Sequence, residues 1–262
     1  MGLELVLSTK LILAILIPFI GTTLGSAMVF FLRKQLNQKI LKILLGFASG
    51  VMISASFFSL LLPAIEALEN YKKWLIPTIG FSIGIAFLVM MDKLIPHEHI
   101  DKTEEGIGIN HIKKQLKLFL AIIIHNIPEG LAVGVIIASA INGTINQQAA
   151  LTLSIGIAIQ NFPEGAVVSM PLKETGISKF KAFMYGVFSG VVEPIAAIVA
   201  ILLTSITQSV LPYALAFAAG AMIYVVSDEL LPEAQSGDKS MLPTLGVAIG
   251  FVIMMVLDIA LG

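Results

Sequence analysis

The stretch "IIIHNIPEGLAVGV", Ile122 to Val135, sets a histidine, an asparagine, a proline and a glutamate inside an apolar run. "IAIQNFPEGAVVSM", Ile157 to Met170, repeats the plan thirty-five residues further on. On a helix, His125 and Glu129 lie one turn apart on one face, with Asn126 beside them. Pro128 has no N–H to donate and its ring crowds the carbonyl of Ile124, so a kink that frees this oxygen is expected. Gly130 and Gly134 allow a neighbouring helix to approach closely. The second copy offers Gln160, Asn161, Glu164 and Gly165, with Pro163 expected to free the carbonyl of Ile159. "SGVVEPIAAI" then places Glu193 directly before Pro194. Three proline-bearing helices thus carry an acid within apolar sequence.

The surroundings say which solvent these groups meet. Of 262 residues, 57% are hydrophobic and only 13% charged, with a mean hydropathy of +0.95. A soluble domain is about a quarter charged, so the composition points to an integral membrane protein. A helix needs about 20 residues to cross the hydrocarbon. Eight runs qualify: 9–32, 40–65, 74–95, 116–141, 147–171, 180–206, 211–232 and 241–261. The runs are long and continuously apolar, unlike the alternating strands of a membrane barrel. The fold class expected is therefore an all-α polytopic membrane protein of eight transmembrane helices, forming a single transmembrane domain over residues 1–262. The N-terminus lacks a basic segment and a cleavage site, so the first run is read as a helix that stays.

Thirteen of the sixteen Lys and Arg residues fall in the loops after runs 1, 3, 5 and 7; Lys10, Lys72 and Lys73 make up the rest. The positive-inside rule puts the first set in the cytoplasm and both termini outside, which requires an even number of spans. The loop 96–114 is rich in His and acids and includes His97, His99 and His111. It reads as a solvated connector or as a weak, labile metal-binding segment.

An ionisable group at mid-membrane costs about 2.5–3.5 kcal/mol on insertion scales. Interhelical polar contacts return only about 0.6–2 kcal/mol each. A purely structural network therefore accounts poorly for three glutamates, a histidine, a glutamine and two asparagines at similar depth. Carboxylate, imidazole and amide oxygen are instead ligands for a divalent cation of borderline hardness. Glu129 and Glu164 could share one ion or bridge two. His125 shifts the preference from Mg²⁺ and Ca²⁺ toward Zn²⁺, Fe²⁺, Cd²⁺, Mn²⁺ or Co²⁺. The chain has no cysteine, so disulfides and thiolate sites are excluded and binding should be reversible.

"HNIPEG" and "QNFPEG" resemble the paired signature of the ZIP family of divalent metal transporters, and "SGVVEPIAA", "SDELLPEAQ" and "MDKLIPHEH" resemble its bacterial GufA-type branch. The resemblance covers all eight runs. It implies a 3+2+3 inverted-repeat bundle carrying zinc and related metals into the cytoplasm. On this chain it implies one metal held by His125, Glu129, Gln160 and Glu164. A second would be held by Asn126, Glu129, Asn161, Glu164 and Glu193, with Glu129 and Glu164 bridging. Gln160 and Asn161 are neutral amides at positions where the family often has His and sometimes Asp. The resemblance also implies an elevator, with runs 1, 4, 5 and 6 moving against runs 2, 3, 7 and 8. Runs 1–3 and 6–8 themselves show no evident match. Gly46, Gly50, Gly186 and Gly190 permit sliding contacts or static packing.

Asp228, Glu229 and Glu233 end run 7 as interfacial acids or as a metal relay. Asp258 near the outer end of run 8 is an entry residue or a snorkelling one. His97 and His99 are loop candidates. The expected partners are divalent metal ions and the lipid bilayer of the plasma (inner) membrane, with a homodimer admissible and no nucleic acid. An enzyme is not expected, since His-Glu-x-x-His is absent. The competing readings are a proton-coupled carrier or a cation channel for another substrate.

Overall fold

The computed structural model describes residues 9–31, 37–95, 97–98, 104–105, 114–174, 176–204, 210–237 and 240–261. Apart from one two-residue ladder, its regular structure is helical. The helices join into eight rods among the described residues: α1 (Thr9–Phe31), α2 (Gln38–Glu66), α3 (Lys72–Leu94), α4 (Lys114–Ile141), α5 (Gln147–Glu174), α6 (Lys179–Gly190 continued by Val192–Thr204), α7 (Leu211–Gln235) and α8 (Leu242–Leu261). Seven are long and apolar enough to cross a membrane. The rod outside this set is α5, whose sequence is interrupted by Gln160, Asn161 and Glu164 and ends on Lys173 and Glu174. Between α3 and α4, β1 (His97–Glu98) pairs antiparallel with β2 (Glu104–Glu105), His97 opposite Glu105. His99 and His111 lie outside the described residues.

Local chemistry explains where rods start and bend. Asn37 caps α2 by accepting from the N–H of Lys39, and Ser178 caps α6 by accepting from that of Lys181. Helix α4 runs on through Pro128, and α5 through Pro163. In α6 the helix is interrupted at Val191, three residues before Pro194. Rods α2 and α7 each widen into a π-helical segment, Ser56–Leu61 and Val226–Leu230. Each segment leads into a Leu-Pro pair. The leucine N–H reaches five residues back, Leu62 to Phe57 O and Leu231 to Val226 O, and the proline after it donates nothing.

The rods pack in two sets. In one, α1 lies along α5, and α4 along α6. In the other, α2 lies along α8, and α3 along α7. Glycines bring the backbones together in the second set. A Cβ on Gly46 or Gly50 would run into the carbonyls of Pro243 and Val247; one on Gly246 or Gly250 would meet those of Ile43 and Phe47. A Cβ on Gly80 or Gly84 would meet the carbonyls of Tyr213 and Phe217, and one on Gly220 that of Phe81. Three of these contacts correspond pairwise, Gly50 to Gly220, Gly246 to Gly80 and Gly250 to Gly84, while Gly46 has Ala216 at the matching position. The sequences correspond as well, which revises the expectation of no evident match. "FASGVMI" (Phe47–Ile53) matches "FAAGAMI" (Phe217–Ile223), and "PTIGFSIG" (Pro77–Gly84) matches "PTLGVAIG" (Pro243–Gly250). Asp92 and Asp258 each follow fifteen residues after the matched proline.

The core runs through the middle of the bundle, along α2, α4 and α7. Rods α3 and α8 lie at the periphery and turn Ile83, Met90, Ile249, Val252, Val256 and Ile259 outward. Large apolar side chains on the outer surface fit a lipid surround, where burial in hydrocarbon replaces burial in protein.

Candidate metal centre

Rods α4 and α5 bring their polar clusters face to face. His125, Glu129 and Glu164 each offer a ligand atom, and these atoms lie within 4.8 Å of one another. His125 Nε2 stands 3.8 Å from Glu164 Oε2. Gln160 Nε2 donates to Glu129 Oε1 at 2.7 Å, which leaves Glu129 Oε2 and Gln160 Oε1 buried without hydrogen-bond partners among the described residues. His125 Nε2 and Glu164 Oε1 are also buried without such partners. Buried polar atoms are normally satisfied. Four such atoms on neighbouring ligand-type side chains form a set matched to a cation. Zinc bonds to His nitrogen and carboxylate oxygen are about 2.0–2.2 Å, so atoms spread over 4.8 Å need only a modest contraction to share one ion.

The other residues expected at the site form a second cluster nearby. Thr22 on α1 donates to Glu193 Oε1 at 2.5 Å and accepts from Asn161 Nδ2 at 3.1 Å. Asn126 Nδ2 donates to the carbonyl of Ser189 at 3.1 Å. Among the described residues, Glu193 Oε2 and Asn161 Oδ1 are buried without hydrogen-bond partners. Glycines close this region: a Cβ on Gly130 would meet the backbone of Glu193, and one on Gly190 would meet the side chain of Thr22 at 3.2 Å.

Of the outlying candidates, Glu229 on α7 is brought to the centre, where its Oε2 is hydrogen-bonded to His125 Nδ1. Asp228, in the same π-helical segment, is exposed. Asp258 on α8 accepts from Ser59 on α2 at 2.6 Å. His97 lies in β1. Sequence reasoning did not name Thr22 or Ser189. A lone hydroxyl in an apolar helix carries no signal of its own, and the acid it serves is remote in the chain.

A multi-pass helical membrane protein with a carboxylate–imidazole centre between two of its innermost helices has the form of a metal carrier. Comparison with known proteins gives the family. The ZIP zinc transporter family model matches residues 7–117 and 97–258. The chain is 37% identical to zinc transporter ZIP11 of Xenopus tropicalis, covering 92% of this chain and 94% of that protein. It is 36% identical to zinc transporter GufA of Myxococcus xanthus, covering 92% and 96%, and 34% identical to zinc transporter ZIPB of Bordetella bronchiseptica, covering 93% and 79%. The chain belongs to the ZIP zinc transporter family.

Proposed function

We propose that this protein carries Zn²⁺ across the plasma membrane toward the cytoplasm by alternating access, with Cd²⁺, Fe²⁺ and Mn²⁺ as further substrates of the same chemistry. The observation that carries this reading is the convergence of His125, Glu129 and Glu164, each of which holds one buried ligand atom with no hydrogen-bond partner among the described residues. Gln160 completes the first metal position. Asn126, Asn161 and Glu193 supply a second, sharing Glu129 and Glu164. His97, His99, Asp228, Glu229 and Asp258 are relay or entry positions along the route.

All eight rods span the membrane in this reading, with both termini outside, as the distribution of Lys and Arg supports. Rods α1–α3 and α6–α8 are inverted repeats around α4 and α5. The matched glycine packing of α2–α8 and α3–α7 supports that arrangement. The moving bundle is α1, α4, α5 and α6, and the frame is α2, α3, α7 and α8.

The test is zinc and cadmium uptake into proteoliposomes, wild type beside Glu129→Ala and Glu164→Ala. Saturable uptake that both variants lose is the expected result. Folded wild-type protein that moves neither metal would overturn the proposal.

A further inference from the structure

We propose that Glu229 is a positioning residue for His125, holding the imidazole from the frame while the metal is held by the bundle. The inference rests on the metal-carrier reading above. Its basis is a division of labour between the two ring nitrogens. Nδ1 is hydrogen-bonded to Glu229 Oε2, and Nε2 is turned toward Glu164 and has no hydrogen-bond partner. A carboxylate on Nδ1 keeps a proton there and leaves the Nε2 lone pair for a cation. Metal-bound histidines are regularly set in this way by a carboxylate on the other nitrogen.

The location of Glu229 gives the contact a second consequence. His125 belongs to α4, which packs along α6, whereas Glu229 belongs to α7, which packs along α3. Glu229 lies in the π-helical segment Val226–Leu230, where the local register departs from that of an α-helix. The segment faces Glu229 to His125 while its neighbour Asp228 stays exposed. When the bundle moves against the frame, this hydrogen bond must break. The imidazole then loses its orientation, and the metal is held less tightly in the state that has left Glu229 behind. Glu229 therefore gives the two end states different affinities, which a carrier needs in order to release its cargo.

The experiment uses protein without a polyhistidine tag in lipid nanodiscs, with His97, His99 and His111 replaced by Asn so that His125 is the sole imidazole. Zinc affinity and zinc-edge X-ray absorption are measured for this background, Glu229→Ala, Glu229→Gln and Ser227→Ala. The expected result is that Glu229→Ala weakens zinc binding about 10- to 100-fold and loses the imidazole scattering. Glu229→Gln, which still presents an accepting oxygen, should keep the imidazole signal, and Ser227→Ala, a change at an exposed position of the same segment, should match the background. Glu229→Ala with unchanged affinity and imidazole signal overturns the positioning role. Glu229→Gln as damaged as Glu229→Ala overturns it too, because it makes the charge, and hence direct ligation, the essential property. No imidazole signal in the background itself overturns the underlying centre instead. If Glu229→Ala does not stay folded, Glu229→Gln is measured with and without His125→Ala. A Gln effect that persists without His125 also rejects action through the histidine.

Discussion

At the scale of single residues, the proposed metal centre should bind protons in competition with a cation. Cation binding needs a lone pair on His125 and ionised Glu129 and Glu164, so each proton bound at a ligand excludes metal. Acidifying the outer solution should raise the KM for zinc uptake and leave the maximal rate nearly unchanged. Initial rates in proteoliposomes across mildly acidic to neutral pH check this, and a flat KM would show that ligand protonation does not limit binding. His125, Glu129 and Glu164 were legible in the sequence because ionisable groups in an apolar run are too costly to be incidental. Thr22 and Ser189 were not, because small hydroxyls also serve packing. The contact of Glu229 with His125 was hidden for another reason. An α-helical wheel does not foresee the π-helical turn that carries it.

At the scale of elements, helix partners are decided by glycine. A Cβ on Gly84 would lie 2.9 Å from Ala221 N and closer still to the carbonyl of Phe217. Backbone cannot yield there, so Gly84→Leu should pry α3 from α7. A destabilisation of about 1–3 kcal/mol is expected, read as a lower melting temperature in detergent. Gly250→Leu, the corresponding change between α8 and α2, should behave alike. Unequal effects would count against equivalent packing of the two pairs. Helix and membrane character were legible from the length and apolarity of the runs. Pairing was not, because faces turned to lipid and faces turned to protein are both apolar in a membrane. The match between "FASGVMI" and "FAAGAMI" lay in the sequence throughout. It is short, and it gained meaning only once its glycines were found in equivalent contacts.

At the scale of the whole molecule, alternating access requires the bundle to move against the frame, and a tether between them should stop it. Gly156 on α5 faces Met254 on α8; a Cβ there would lie 3.9 Å from Met254 Cγ. The chain has no native cysteine, so Gly156→Cys with Met254→Cys reports cleanly. Oxidative cross-linking should abolish uptake, reduction should restore it, and zinc binding should persist in the linked form. Linking Phe87→Cys to Phe217→Cys, whose native rings lie 5.5 Å apart within the frame, should leave uptake intact. Transport through a bundle locked by the Gly156–Met254 link would exclude the elevator.

The peripheral rods carry one more consequence. Helix α8, with 20 residues, is about 30 Å long, whereas the more enclosed α2, with 29, is about 44 Å. The rods that meet the acyl chains are thus among the shortest, and the longer one is shielded from them. The bilayer therefore sees a girdle close to the typical hydrocarbon thickness of about 30 Å. A thicker or thinner membrane must deform around α8 or tilt it, and α8 is packed backbone to backbone on α2. Acyl-chain length thus becomes a setting of the machine: uptake rates in vesicles of graded lipid length should pass through a maximum near this thickness.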